Sequence, residues 1–215
     1  MMFANRVDAA RGLADALDAY RGKNALVLAI PRGAVPMGAA LAEALDADLD
    51  VVLVHKLGAP WQPEYAVGAI DETGWSFISD PHAADEDYLK AERARQLERL
   101  QQRRRQYSPD RPPIDPTGRI VIVVDDGLAT GSTMIAALHA VRSQAPQRLI
   151  CAVPVAAPES LRKVEPWADE VVCLDAPPGF RAVGQFYTDF DQVEDDEVIA
   201  CLERFRGRPG TRQPD

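Results

Sequence analysis

The sequence predicts an α/β fold: a mainly parallel sheet with helices on both faces, plus a small C-terminal hood. Three observations carry this. Short runs of β-prone apolar residues alternate with stretches of helical periodicity, the pattern that builds parallel sheets. The run IVIVV at 120–124 shows no polar alternation, which suits a strand buried on both faces. Two strand-to-helix junctions, after Ile30 and after Val124, carry glycine together with charged or hydroxyl residues. That is where open α/β sheets bind ligands.

The elements follow in chain order. Residues Arg6 to Arg21 predict an amphipathic helix, with Ala10, Leu13, Ala14 and Leu17 on one face and Gly22 ending it. Ala25 to Ile30 is the first strand. It runs into Pro31-Arg32-Gly33-Ala34 and then a helix, VPMGAALAEAL. Asp50 to His55 is expected as the second strand, with Lys56 just beyond its end. Leu57 to Tyr65, broken by Pro and Gly, is expected as a loop. Val67–Asp71 and Trp75–Ser79 flank Glu72-Thr73-Gly74 as a hairpin, with Trp75 and Phe77 as packing residues. Asp85 to Tyr107 is a long charged helix with Leu89, Leu97 and Leu100 near one face and arginines around it, including Arg99 and Arg103. Such a run suits a solvated face, or a dimer contact that lends an arginine to a neighbouring site. Pro109 to Pro116 breaks it. Then come a strand at Ile120–Val124, a helix from Ser132 to Gln144, a strand at Arg148–Val155, a short helix at Pro158–Lys163 and a last strand at Asp169–Leu174. The segment DAPPGFRAVGQFYTDF is too rich in Pro and Gly for a helix. An acidic helix, Glu194–Phe205, is expected to pack over it, with a disordered tail from 207 to 215.

Bulk properties narrow the functional classes. The chain has 215 residues, a length suited to one domain, here 1–206, with its core at about 5–174 and its hood at about 175–200. A formal net charge of −9 argues against a general nucleic-acid binder. No apolar run is long enough to cross a bilayer, and the N-terminus MMFANRVDAARGL lacks an apolar signal core. The three cysteines, Cys151, Cys173 and Cys201, are widely spaced and read as thiols in a reducing compartment, so the expected location is the cytoplasm.

Residues 120–133, IVIVVDDGLATGST, hold the densest chemistry. After the strand come two carboxylates, Asp125 and Asp126, and then Gly127, Leu128, Ala129, Thr130, Gly131, Ser132 and Thr133 before a helix. A helix N-terminus offers unpaired N–H groups and a positive dipole end, so it attracts phosphate. Gly127 and Gly131 allow a sharp turn, and the three hydroxyls add donors. The carboxylates would repel the same anion, but they accept hydrogen bonds from vicinal hydroxyls. A sugar bearing a phosphate and two free hydroxyls satisfies both halves.

This segment resembles the phosphoribosyl-pyrophosphate (PRPP) signature of type I phosphoribosyltransferases: apolar residues, two acids, then a Thr-Gly-x-Thr type loop. The resemblance implies that the acids hold the ribose hydroxyls and the loop holds the 5′-phosphate. It implies further PRPP contacts from Arg32 and Gly33, in the position of the family's pyrophosphate loop, and from Lys56. It implies a loop closing over PRPP, with Glu64 as a proton-transfer group for the acceptor. The hood is similar to that of hypoxanthine-guanine enzymes, which implies a base held by Phe180, Val183 and Asp189. Mg²⁺ is the implied cofactor. It would have no firm direct ligand from the protein, and Asp125 or Asp126 would reach it through water. The implied partners are PRPP and a small-molecule acceptor, with no nucleic acid or membrane, and the implied assembly is a homodimer.

Some positions depart from 6-oxopurine salvage enzymes. Ala129 stands where those enzymes have an Asp, and Ala156 and Ala157 occupy the neighbourhood of their base-reading Lys. The acceptor therefore stays open. A PRPP-sensing regulator without turnover is the alternative, and a flavin-binding module is a third reading that the acid pair disfavours.

Overall fold

The computed structural model describes residues 1–80, 82–109 and 111–205, with the side chains of Pro63 and Glu64 left out. The elements in order are α1 (Arg6–Ala16), β1 (Leu26–Ala29), α2 (Val35–Leu45), β2 (Asp48–Val51), β3 (Val54–Ala59), β4 (Gln62–Asp71), β5 (Ser76–Ile78) and α3 (Glu86–Tyr107). They continue with β6 (Ile120–Val124), α4 (Ser132–Arg142), β7 (Arg148–Val155), α5 (Pro158–Val164), β8 (Glu170–Asp175) and α6 (Asp195–Arg204). The main sheet has the order β2-β1-β6-β7-β8, with every pairing parallel. A second sheet, β3-β4-β5, is antiparallel. The α/β class expected from the sequence holds.

The main sheet is covered on both faces, and the side-chain alternation of its strands shows how. Ile122 and Val124 of β6 join the core formed with Leu13 of α1 and Leu41 of α2. Val121 and Val123 turn to the other face, against Met134, Leu138 and Val141 of α4. A continuous apolar run is therefore what β6 requires. Among the described residues no helix is long and apolar enough to cross a membrane. All three cysteines are free thiols, Cys151 and Cys201 buried and Cys173 partly buried.

Four boundaries differ from expectation. The first helix, expected to run to Arg21, ends at Ala16 and is followed by a 3-10 turn at Asp18–Tyr20. The strand expected at Asp50–His55 is split. The main-sheet strand stops at Val51, and the chain turns off through Val52 and Leu53 into β3 of the small sheet. The apolar run VVLV spans the change of sheet, so periodicity cannot see it. The loop expected at Leu57–Tyr65 is instead the end of β3, a turn at Pro60–Trp61 and the start of β4. Gly58 lies at a register shift in that pairing, so it marks a bulge rather than a break. Finally, α6 packs against α2 and α3 rather than over the hood. The tail expected at 207–215 lies outside the described residues.

Helix α3 is fixed to both sheets by a buried ion cluster. The Arg104 Nη1 donates to Asp50 Oδ1 at 2.7 Å, its Nε donates to Glu72 Oε2 at 2.6 Å, and its Nη2 donates to the Val51 carbonyl at 2.9 Å. Asp50 is only 1% exposed, so its charge depends on these partners and on the Ile114 N–H. The anchor determines where the arginine-rich face of α3 lies.

Candidate functional site

The loop after β6 makes a tight turn into a helix start. Gly131 takes φ of 76°, a left-handed conformation that side chains resist. A Cβ there would also meet Val164 Cγ2 at 3.2 Å. The turn delivers the chain into α4 with no side-chain cap at Gly131, and the Ser132 N–H reaches Thr130 Oγ1 only at 3.5 Å, which leaves a helix start suited to a ligand. Thr130 Oγ1 and Ser132 Oγ stand 3.3 Å apart on the exposed side of the loop. The rear is pinned: Leu128 bridges Ala156, and Ser160 Oγ donates to the Ala129 carbonyl at 2.7 Å. Gly127 is packed so closely under Val183 that a Cβ would come within 2.7 Å of Val183 Cγ1. Ala129 and Thr130 are exposed, and Ser132 and Thr133 are half-buried at the start of α4.

Asp125 and Asp126 sit half-buried at the mouth of this loop. Asp125 Oδ1 accepts the Asp126 N–H at 2.9 Å. Burial, and then the neighbouring Asp126 charge, push the Asp125 carboxyl well above the usual carboxylate range. Burial also raises Asp126, opposed by the charge and hydrogen bond of Arg6. Arg6 Nε donates to Asp126 Oδ2 at 3.0 Å, with the two side chains 12% and 15% exposed. The same guanidinium lies 3.9 Å from the Phe190 ring centroid and donates from Nη1 to the Asp191 carbonyl at 2.8 Å. Tyr187 Oη donates to the Asp126 carbonyl at 2.7 Å. The acid pair is thus oriented by residues 61 to 120 positions away in sequence. No local signal marks Arg6 or Tyr187; each reads as an ordinary residue of a helix start or an aromatic cluster.

The loop after β1 meets the acid pair directly. A Cβ on Gly33 would stand 2.4 Å from Asp126 Oδ2, so only glycine lets the two loops touch. The Pro31–Arg32 peptide is cis. Arg32 is 35% exposed and leans on α6, 3.5 Å from Glu194 Oε2 and 3.9 Å from Asp195 Oδ1.

The remaining expected residues are dispersed. Lys56 lies within β3, exposed and paired in register with Ala69, and not at the end of a parallel strand. Its neighbour His55, not Lys56, lines the cavity beside the site. Glu64 belongs to β4, and its side chain lies outside the described residues. In the hood, Phe180 is half-buried and stacks on Phe186 with centroids 5.4 Å apart. Val183 covers Gly127, and Asp189 borders a cavity of about 230 Å³ with Arg6 and Pro36.

A larger cavity of about 450 Å³ opens along the carboxyl ends of β1 and β2. Pro31 and Val52–His55 form part of its lining, Thr133 marks its phosphate-loop end, and Arg99 and Arg103 of α3 form the facing wall. Its size is that of a small-molecule site. Among the described residues no group of three or more His, Cys, Asp or Glu side chains converges to hold a metal. The acid pair is therefore the available carboxylate set. That fits Mg²⁺, which commonly takes one or two carboxylates and completes its shell with phosphate and water.

Comparison with known proteins agrees with this geometry. The phosphoribosyl transferase domain family matches residues 3–191. Two Mycobacterium tuberculosis proteins, "Putative phosphoribosyl transferase MT0597" and "Putative phosphoribosyl transferase Rv0571c", are each 42% identical over 207 residues, covering 94% of this chain and 47% of theirs. The chain thus spans about half the length of the curated relatives it matches. The crystal structure of TT1426 from Thermus thermophilus is 41% identical, with a TM-score of 0.88 over 96% of this chain and 100% of that one. With the strand–acid pair–glycine loop in place at the sheet edge, the match over most of its length shows that the chain belongs to the phosphoribosyl transferase domain family.

Proposed function

We propose that this protein transfers the 5-phosphoribosyl group from PRPP to a nitrogen nucleophile, a nucleobase in the simplest case, and releases pyrophosphate. One observation carries the reading: an uncapped helix N-terminus and a hydroxyl-bearing glycine turn follow two carboxylates without a break, and Gly33 touches the second of them. The 5′-phosphate would sit on the N–H groups of α4 with Thr130, Ser132 and Thr133. The ribose hydroxyls would donate to Asp125 and Asp126. As the bond from C1 to the pyrophosphate oxygen breaks and the bond to nitrogen forms, positive charge develops on the sugar. The carboxylates beneath it would stabilise that charge. Bound with the substrate, Mg²⁺ would neutralise diphosphate charge, and Asp125 or Asp126 would reach it through water.

Arg6 has a defined part in this scheme. Burial favours the protonated carboxyl, which accepts ribose hydroxyls poorly, and the guanidinium opposes that shift while holding Asp126 in place. The hood residues Phe180, Val183 and Asp189 would border the acceptor, and Glu64 would exchange a proton with it.

The test is release of pyrophosphate from PRPP and Mg²⁺ across a panel of purine and pyrimidine bases. Turnover with one base is expected. Asp125→Asn with Asp126→Asn should reduce PRPP affinity by about 100-fold, two charge-assisted hydrogen bonds being worth about 3 kcal/mol together. Unchanged affinity would refute the assignment. PRPP binding with no turnover on any base would favour the regulatory alternative.

A further inference from the structure

The second wall of the large cavity carries charge that nothing in the fold consumes. Arg99 and Arg103 are one helical turn apart on α3, so their side chains share a face. Both are exposed and both line the cavity whose other end is Thr133 of the phosphate loop. Two guanidinium groups at this spacing repel one another, so an anion placed between them is favoured. Among the described residues neither makes a hydrogen bond or an ion pair. Asp195, whose carboxylate feels the charge of Arg103, is already engaged: it accepts from Tyr107 Oη at 2.7 Å and from Gln106 Nε2 at 3.2 Å, with Arg32 at 3.9 Å. Three other arginines along this helix are occupied. Arg104 is buried in its ion cluster, Arg95 pairs with Glu92, and Arg93 lies 3.6 Å from Glu86. In a chain of net charge −9, these two cations face one cavity together.

The cavity has a direction. Its phosphate-loop end takes a monoester, and its Pro31 side adjoins the loop that touches Asp126. On the PRPP reading, an anion lying between Pro31 and α3 would be the diphosphate of the ligand whose sugar meets Asp126, because Pro31 leads into the Gly33 loop. Lys56, the cation expected from the end of β2, is not among the residues that line this cavity.

The geometry points to Arg99 and Arg103 as the cationic clamp on the diphosphate of PRPP, supplied in cis by α3. This rests on the PRPP reading above and names residues that sequence resemblance does not. The diphosphate carries several negative charges, and a planar guanidinium binds phosphate oxygens in a bidentate manner that lysine cannot copy. Because Arg104 fixes α3 to Asp50 and Glu72, the clamp is held in place before substrate arrives.

Titration calorimetry with three probes tests this: PRPP with Mg²⁺, pyrophosphate with Mg²⁺, and ribose 5-phosphate, which lacks the diphosphate. Both side chains are exposed, so Arg99→Gln with Arg103→Gln should leave the thermal midpoint unchanged. The double variant is expected to lose at least tenfold in affinity for PRPP and pyrophosphate and to hold ribose 5-phosphate within twofold. Arg99→Lys with Arg103→Lys should recover part of the loss. If wild-type protein binds PRPP and the double variant binds it equally well, the clamp is refuted while the PRPP reading stands. Equal weakening of PRPP and ribose 5-phosphate would also refute it, by showing a general field effect. Wild-type protein that binds none of the three would overturn both.

Discussion

The two walls of the crevice are made in different ways. On one side, the residues from Asp125 to Thr133 are contiguous, and each contributes through its own backbone or side chain: two acids, two turning glycines, three hydroxyls and an uncapped helix start. On the other side, α3 reaches the site only after the chain has left the main sheet at Val51, crossed three antiparallel strands and returned. Its position depends on Arg104 meeting Asp50 and Glu72, residues 54 and 32 positions away. The first wall is a local device and the second a tertiary one. The two should therefore fail differently when broken: a local device loses its ligand and keeps its fold, and a tertiary one loses both.

The largest effect should come from the tertiary wall. Arg104→Ala leaves the Asp50 and Glu72 carboxylates without their buried partner. It should cost about 3–5 kcal/mol of stability, read from the denaturant midpoint at constant slope. PRPP affinity should fall with it, because α3 is released; a stable variant with full affinity would break the distinction between the walls. On the local wall, Gly131→Val forces a β-branched residue into a left-handed turn against Val164. The phosphate cradle should deform and lower PRPP affinity about 30- to 100-fold, roughly 2–3 kcal/mol of charge-assisted hydrogen bonding. Unfolding free energy should drop by only about 1–2 kcal/mol.

Arg6→Gln sharpens the comparison, because Arg6 is a tertiary support for the local device. Without the guanidinium, burial of Asp126 is opposed only by a backbone hydrogen bond and its carboxyl titrates higher still. PRPP binding needs the ionised carboxylate, so it is lost as pH falls through that value. The acid limb of the affinity profile should move to higher pH, with affinity near neutrality down about tenfold, or about 1.4 kcal/mol. Arg6→Lys should restore part of it, and an unmoved acid limb would reduce Arg6 to packing. The smallest effect belongs to Lys56→Ala. As an exposed residue of β3 outside the cavity lining, it should change the KM for PRPP by less than about twofold, within the range of ordinary surface substitutions.

Much of the fold was legible because its signals are short-ranged. The bounds of β6, β7 and α2 match their sequence patterns, since an uninterrupted apolar run or a helical stripe is set by which faces are covered. The split of Asp50–His55 was not legible, because VVLV is equally apolar whether it continues one sheet or begins another. The strand pairing at Leu57–Tyr65 was hidden because Gly58 reads as a breaker, although it serves as a bulge. In the site, Gly33 was expected near PRPP for its freedom of approach, and its contact with Asp126 emerges only from the packing of two loops.

By itself, the amino-acid sequence determined the parallel α/β architecture and the acid-then-glycine-then-hydroxyl loop, because neighbouring residues in a chain stay neighbours in a turn. The tertiary structure alone decided that Arg6 and Tyr187 would hold Asp126, that His55 rather than Lys56 would face the cavity, and that α3 would bring Arg99 and Arg103 across from the phosphate loop. Those placements depend on burial and ion pairing between distant segments, which are properties of the packed molecule and leave no mark on any short stretch of chain.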